Sequence, residues 1–262
     1  MYKIPDSVVF IDLETLPGDA TVGMDLTQAP GWEAPPLVVE EPKRRTVPAS
    51  YKKDTAIQSW LLKEQGRMRE ARLEARAKAW EAQKEEKAKA LKRWRDGSLD
   101  GYRARIACIA IASGEHPVQV IDCAEDEEAG LRELGIVMSP GRTFVAHNGE
   151  GFDFPMVQIR ALKYGGVRLA ARLHQGKPWD GRLVDTLKWW PTLGGWGDRF
   201  KGTKLDDICR HLGIERTDNP IDGSQVLDAY VRGDWPDVIA HAHADVRDLR
   251  EVYRVLAEVR GG

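Results

Sequence analysis

Val8-Val9-Phe10-Ile11-Asp12-Leu13-Glu14-Thr15 is the stretch that decides how this chain is read. Its apolar start is rich in β-branched residues and suits a buried strand, and the Pro17-Gly18 pair supplies a turn after it. Side chains of a strand alternate between faces, so Asp12 and Glu14 project from the same side. They can share one cation. Alone, the pair is equally a solvated strand end, and its meaning depends on what the rest of the chain brings to it.

Outward from this stretch, Ile106–Ile111 and Val118–Ile121 read as two further strands joined by a glycine-containing turn. Glu125–Gly135 reads as a helix with an acidic start, Thr143–His147 as a strand, and Phe154–Tyr164 as a helix closed by Gly165-Gly166. Strands alternating with helices predict an α/β fold with the first strand at its centre. From Pro236 to Val259, apolar residues at Ile239, Val246, Leu249, Val252, Tyr253, Leu256 and Val259 recur every three or four positions, the mark of a terminal amphipathic helix.

Between the first two strands lies a long excursion. Pro30, Pro35, Pro36, Pro42 and Pro48 exclude long regular structure. Thr55–Trp94 is proline-free and dense in Ala, Glu, Lys, Arg and Leu, which predicts one or two long helices with Gly66 as the candidate break. We expect a single domain over residues 1–262, with 27–97 inserted into it as a proline-rich loop and charged helical segment. Residues 63–95 hold twelve Lys/Arg against six Asp/Glu, although the whole chain has a formal charge of -2. Such a local excess suits nucleic acid or a protein partner; a solvated, salt-bridged helix is the alternative.

Cys108, Cys123 and Cys209 lie far apart with no CxxC pair, against a zinc site or a disulfide framework. No apolar run reaches membrane-spanning length, so a cytoplasmic, soluble protein without membrane contact is expected.

Two further segments carry acidic residues in telling positions. Asp153 stands at a helix start, after Phe144-Val145-Ala146-His147-Asn148-Gly149; it is either a helix cap or a ligand. His147 and Asn148 either tie down that turn or reach a phosphate or sugar. On the last helix His241 precedes Asp245 by four residues, which places both on one face. His243 and Asp248, five apart, diverge and form a weaker pair. Four carboxylates, Asp12, Glu14, Asp153 and Asp245, are what two hard cations require, and oxygen donors select Mg²⁺ or Mn²⁺. Two such ions serve in-line attack on a phosphodiester.

Taken in order, Phe10-Ile11-Asp12-Leu13-Glu14-Thr15, His147-Asn148-Gly149 with Phe152-Asp153-Phe154-Pro155, and His241-x-x-x-Asp245-Val246 resemble the three exonuclease motifs of the DEDD superfamily. Val184-Asp185-Thr186-Leu187, Lys204-Leu205-Asp206-Asp207-Ile208 and Ile221-Asp222-Gly223-Ser224-Gln225-Val226 resemble the branch related to polymerase proofreading domains, and the insert resembles exonuclease-like proteins of bacteriophages. The likeness implies a ribonuclease-H-like fold: a central mixed β-sheet flanked by helices. It implies a 3′-to-5′ exonuclease acting on 3′ ends of DNA, less readily RNA, that releases nucleoside 5′-monophosphates with two divalent cations. By the same likeness Asp12, Glu14, Asp153 and Asp245 are the metal ligands and His241 orients or deprotonates the attacking water. Thr15, Leu16, His147 and Asn148 are expected to touch substrate, with a core role open for Leu16. Trp189, Trp190 and Trp196 offer stacking surfaces or core packing. The motif departs from the superfamily at one point: histidine stands at the spacing usually held by tyrosine, and position 240, where the other branch has histidine, is alanine. An endonuclease or resolvase, or a binding protein that kept the fold, are the competing expectations.

Overall fold

The computed structural model describes residues 2–174, 182–192 and 203–260. It falls into two compact units, one formed by Met1–Met24 with Arg95–Gly262, the other by Asp25–Trp94.

The first unit is built on a five-stranded sheet. Its strands are β1 (Val8–Pro17), β2 (Ala104–Ser113), β3 (Gln119–Asp122), β4 (Thr143–Ala146) and β5 (Leu183–Asp185), in the order β3-β2-β1-β4-β5. β1 pairs antiparallel with β2 and parallel with β4; β2–β3 is antiparallel and β4–β5 parallel, so the sheet is mixed. β1 is longer than its apolar start suggests. The antiparallel ladder to β2 runs through a bulge, where Glu14 faces Cys108 but Thr15 faces Ile106, and carries the strand on to Pro17. An extra residue at this point sharpens the local twist just beside Glu14. Pairing with β4 stops after Phe10 opposite Val145, so beyond Phe10 the sheet opens along that side of β1.

Alternation along β1 feeds two cores. Val9, Ile11 and Leu13 join Ile106, Ile109, Leu131, Leu134, Phe154 and Val157 in one buried cluster. Helices α2 (Glu127–Val137), α3 (Asp153–Lys163) and α4 (Val167–Arg172) supply its outer layer. The other face carries Phe10, Asp12, Glu14 and Leu16. There α8 (Trp235–Val259) packs, and the Phe10 and Tyr253 rings meet edge to face at 5.4 Å. Helices α5 (Thr186–Thr192), α6 (Leu205–Leu212) and α7 (Val226–Arg232) complete the unit, α7 and α8 being separated by Gly233 at a left-handed φ of 84°.

α2 and α3 are locked by a buried ion pair. Glu127 accepts from Arg160 Nε at 2.8 Å, from the Tyr164 hydroxyl at 2.8 Å and from the Ile106 amide at 2.8 Å. Burial alone would raise this carboxyl, but Arg160 and the two other donors outweigh it and hold it below the usual range.

In the second unit α1 (Asp54–Arg95) runs unbroken for 42 residues, straight through Gly66. One glycine costs a helix interior about 1 kcal/mol, which the strong helix formers on either side absorb. The proline-rich segment runs antiparallel along it. Arg45 N–H donates to Glu64, Arg72 pairs with Glu41 at 2.9 Å, Gln83 Nε2 donates to the Pro35 carbonyl at 2.7 Å, and Lys87 lies over the Trp32 ring. Arg67 beside Glu64 pulls that carboxyl down to about 2.

Candidate active site

Three elements deliver the acidic side chains. β1 supplies Asp12 and Glu14 from one face, α3 supplies Asp153 from its first residue, and α8 supplies Asp245 with His241 one turn before it. Glu14, Asp153 and His241 are 7%, 3% and 5% exposed, while Asp12 and Asp245 keep a partial opening to solvent.

The carboxylates feel one another. Burial pushes Asp12 well up, and the charges of Asp153 and Asp245 push it further. Glu14 is likewise raised, by burial first and then by Asp12, Asp245 and Asp153. Burial raises Asp153 to about 7, against backbone amides of Asp153 and Leu13 that favour its charged form. Asp245 also rises to about 7, through burial, with Arg216 working against it. Desolvated like charges in one place are unstable without a counter-charge. Oxygen donors of this kind suit hard divalent cations. Among the described residues, no three His, Cys, Asp or Glu side chains are drawn together as a closed metal-ligating group. The donor types fit such cations, and it is charge and placement that carry the fit.

His241 is held on both sides. Its Nε2 lies 3.3 Å from Glu14 Oε1 and 3.8 Å from Asp245 Oδ2. Its Nδ1 is 2.7 Å from Asn219 Nδ2. The Ile221 N–H points at Asn219 Oδ1 at 3.4 Å, so the amide nitrogen is left to donate to Nδ1. The ring proton therefore sits on Nε2 and faces Glu14. Burial lowers the pKa of His241, which keeps it neutral near pH 7.

The remaining residues expected at the site divide. His147 and Asn148 line the same cleft as His241 and Asp245, a cavity of about 1180 Å³. Both also tie the turn: His147 Nε2 donates to the Thr203 carbonyl at 2.9 Å, and the Asn148 N–H donates to Asp185 at 2.9 Å. Asn148 adopts a left-handed φ of 60°. Thr15 donates its hydroxyl to the Ser98 carbonyl at 2.7 Å. Leu16, near the end of β1, is fully buried at 0% exposure, as a core role would have it. Trp189 stacks on Tyr253 at 5.6 Å and Trp190 meets His211 edge-on, both half-buried packing; Trp196 lies outside the described residues.

Several residues outside the expected site set support the cleft. Asp185, 2% exposed, accepts from the amides of Asn148, Glu150 and Leu187 and so fixes the turn that leads to Asp153. Asp248 accepts from Arg216 Nε at 2.8 Å and from the Thr217 hydroxyl at 2.9 Å; it ties the loop carrying these two residues to α8, while His243 lies off the cleft. Arg216 also pairs with Asp206 and lies 3.4 Å from Asp245. Lys204 brings a second cation to the cleft wall.

Comparison with known proteins agrees with this geometry. A family model, RNase_H_2, described as RNase_H superfamily, matches residues 97–257. No curated protein matches the chain. The five-stranded mixed sheet flanked by helices is the ribonuclease-H-like α/β fold, and such domains point to nuclease chemistry on nucleic acid, generally with divalent metal ions. No described helix is long and apolar enough to cross a membrane. With β1 and the matched span forming one sheet, this chain belongs to the RNase_H_2 family of the RNase H superfamily.

Proposed function

We propose that this protein is a metal-dependent 3′-to-5′ exonuclease that hydrolyses DNA, in preference to RNA, to nucleoside 5′-monophosphates. One observation carries the reading: Asp153 on α3 and Asp245 on α8, far from β1 in sequence, lie close enough to raise the pKa of both Asp12 and Glu14. Asp12, Glu14, Asp153 and Asp245 would hold two Mg²⁺ or Mn²⁺ ions. Bound there, such ions supply Lewis-acid stabilisation of the attacking and leaving oxygens.

The chain's own groups do the rest. Asn219 and Glu14 hold the His241 ring between them, and its Nε2–H is a donor that orients an oxygen at the carboxylates; the Nδ1 lone pair is engaged by Asn219. His241 thus acts by orienting water, not by taking its proton. Lys204 and Arg216 on the cleft wall give positive charge for the phosphates of the strand end. Asp185 keeps the 147–150 turn in the conformation that sets Asp153 at the head of α3.

The test is digestion of end-labelled oligonucleotides with magnesium, manganese and chelator. A 3′ label should be released at once as a mononucleotide and a 5′ label should yield a descending ladder, while a circular single strand stays intact. Nicking of the circle would instead identify an endonuclease. Asp12→Asn and Asp245→Asn should each lower the rate more than about a thousandfold, some 4 kcal/mol of barrier, with folding retained. Wild-type digestion by either variant refutes the assignment.

A further inference from the structure

The second unit carries an exposed stripe that the hydrolytic site does not use. At 3.6 residues per turn, successive side chains advance about 100° around α1. Between Leu62 and Lys87, the third of its circumference centred on Arg69 bears Arg69, Arg72, Arg76, Lys84 and Lys87 and no carboxylate. The glutamates lie outside this sector, where Glu85 and Glu86 pair with Lys89. Arg72 is engaged by Glu41, Lys84 by Glu81 and by the Trp80 ring, over one side of which it lies at 5.9 Å, and Lys87 by the Trp32 ring. Arg69 and Arg76 make no ion pair among the described residues.

Apolar groups stand open on the same stripe. Leu62, Leu73 and Trp80 are 69%, 61% and 53% exposed. Arg69, Leu73, Arg76 and Trp80 follow at spacings of four, three and four, one continuous line on the helix surface. A helix that needs only solvation has no use for bare guanidinium groups beside an exposed indole. Docking the stripe onto the same stripe of a second copy would set cations against cations. The complementary partner is anionic and offers flat rings.

We propose that the stripe of α1 through Arg69, Leu73, Arg76 and Trp80 binds single-stranded nucleic acid, the guanidinium groups contacting phosphates and Trp80 stacking on a base. Aromatic stacking beside a cationic track is the general means of holding single strands without sequence preference. Arg69 and Arg76 are about 10.5 Å apart along the axis, two helical turns, so they contact separate phosphates of one strand. The inference rests on nucleic acid being the substrate class, but its readout is binding, which needs no hydrolysis.

The full-length protein is titrated, in chelator, against a fluorescent single-stranded oligonucleotide over a range of salt. Arg69→Gln combined with Arg76→Gln should weaken binding at least about tenfold and reduce the slope of log K against log salt by about 1.4, two phosphate contacts at roughly 0.7 each. Trp80→Ala should weaken binding with the slope unchanged, and Lys at both positions should restore it. Helix content by circular dichroism and cleavage of a dinucleotide should match wild type in every variant, which separates failure here from failure of the exonuclease assignment. Unchanged oligonucleotide affinity and slope in the double variant overturn the proposal. If oligonucleotide binding is intact but binding of poly-L-glutamate is lost, the stripe belongs to an acidic protein instead.

Discussion

Among single residues, the tightest constraint falls on His241. A neutral imidazole has one protonated nitrogen and one lone pair, and the amide of Asn219 takes the lone pair. Replacing Asn219 by Ala leaves Nδ1 without its donor and frees the ring to turn. We expect kcat to fall by about tenfold, the worth of one such hydrogen bond, with KM little changed. A rise in KM at constant kcat would show that Asn219 contacts substrate instead. The acidic residues were legible in the chain because each sits where a periodic signal ends: Asp12 and Glu14 on a strand face, Asp153 at a helix start, Asp245 one turn after a histidine. Asn219, Arg216 and Asp185 were not legible in this way. Each takes its meaning from a partner more than twenty residues away, Asn219 from His241, Arg216 from Asp245 and Asp248, Asp185 from Asn148. No local spacing encodes such pairs.

For the elements, length decided what could be read. β1, α3 and α8 have enough turns or alternations to show their period, whereas β5 has three residues and shows none. α1 is the reverse case, a helix whose propensity is unmistakable and whose continuity through Gly66 is not. Gly66 has open space around the position of an added Cβ, so Gly66→Ala should stabilise α1 by about 0.5–1 kcal/mol. The gain is read as added helicity and resistance to urea. Gly130 is different. A Cβ there would lie 2.2 Å from Cys123 Sγ, so α2 can approach β3 only with glycine at this position. Gly130→Ala should destabilise the sheet unit by about 1–3 kcal/mol, the range for overpacking, seen as a lower midpoint in denaturant; an unchanged midpoint would show that α2 can slide away.

For the whole molecule, the charged cluster links stability to pH and to cations. Asp153 and Asp245 rise from an ordinary 3.8 to about 7. A folded-state pKa above the unfolded one means that the fold holds the proton more tightly. The associated stability is complete below about 4 and is lost as pH rises through about 7. In chelator, Tm should therefore decline over that window, and Asp153→Asn should remove part of the decline. Magnesium should restore Tm most at the upper end, where the native carboxylates are charged and able to bind it. Superimposable melting curves with and without magnesium at pH 8 would sink the cation assignment.

The outermost strands of the sheet, β3 and β5, span only four and three residues. A rim that short offers a foreign chain too few free amide and carbonyl groups to register against, and a growing fibril needs a longer template than either provides. The architecture that gathers carboxylates from β1, α3 and α8 thus leaves little purchase for edge-to-edge aggregation.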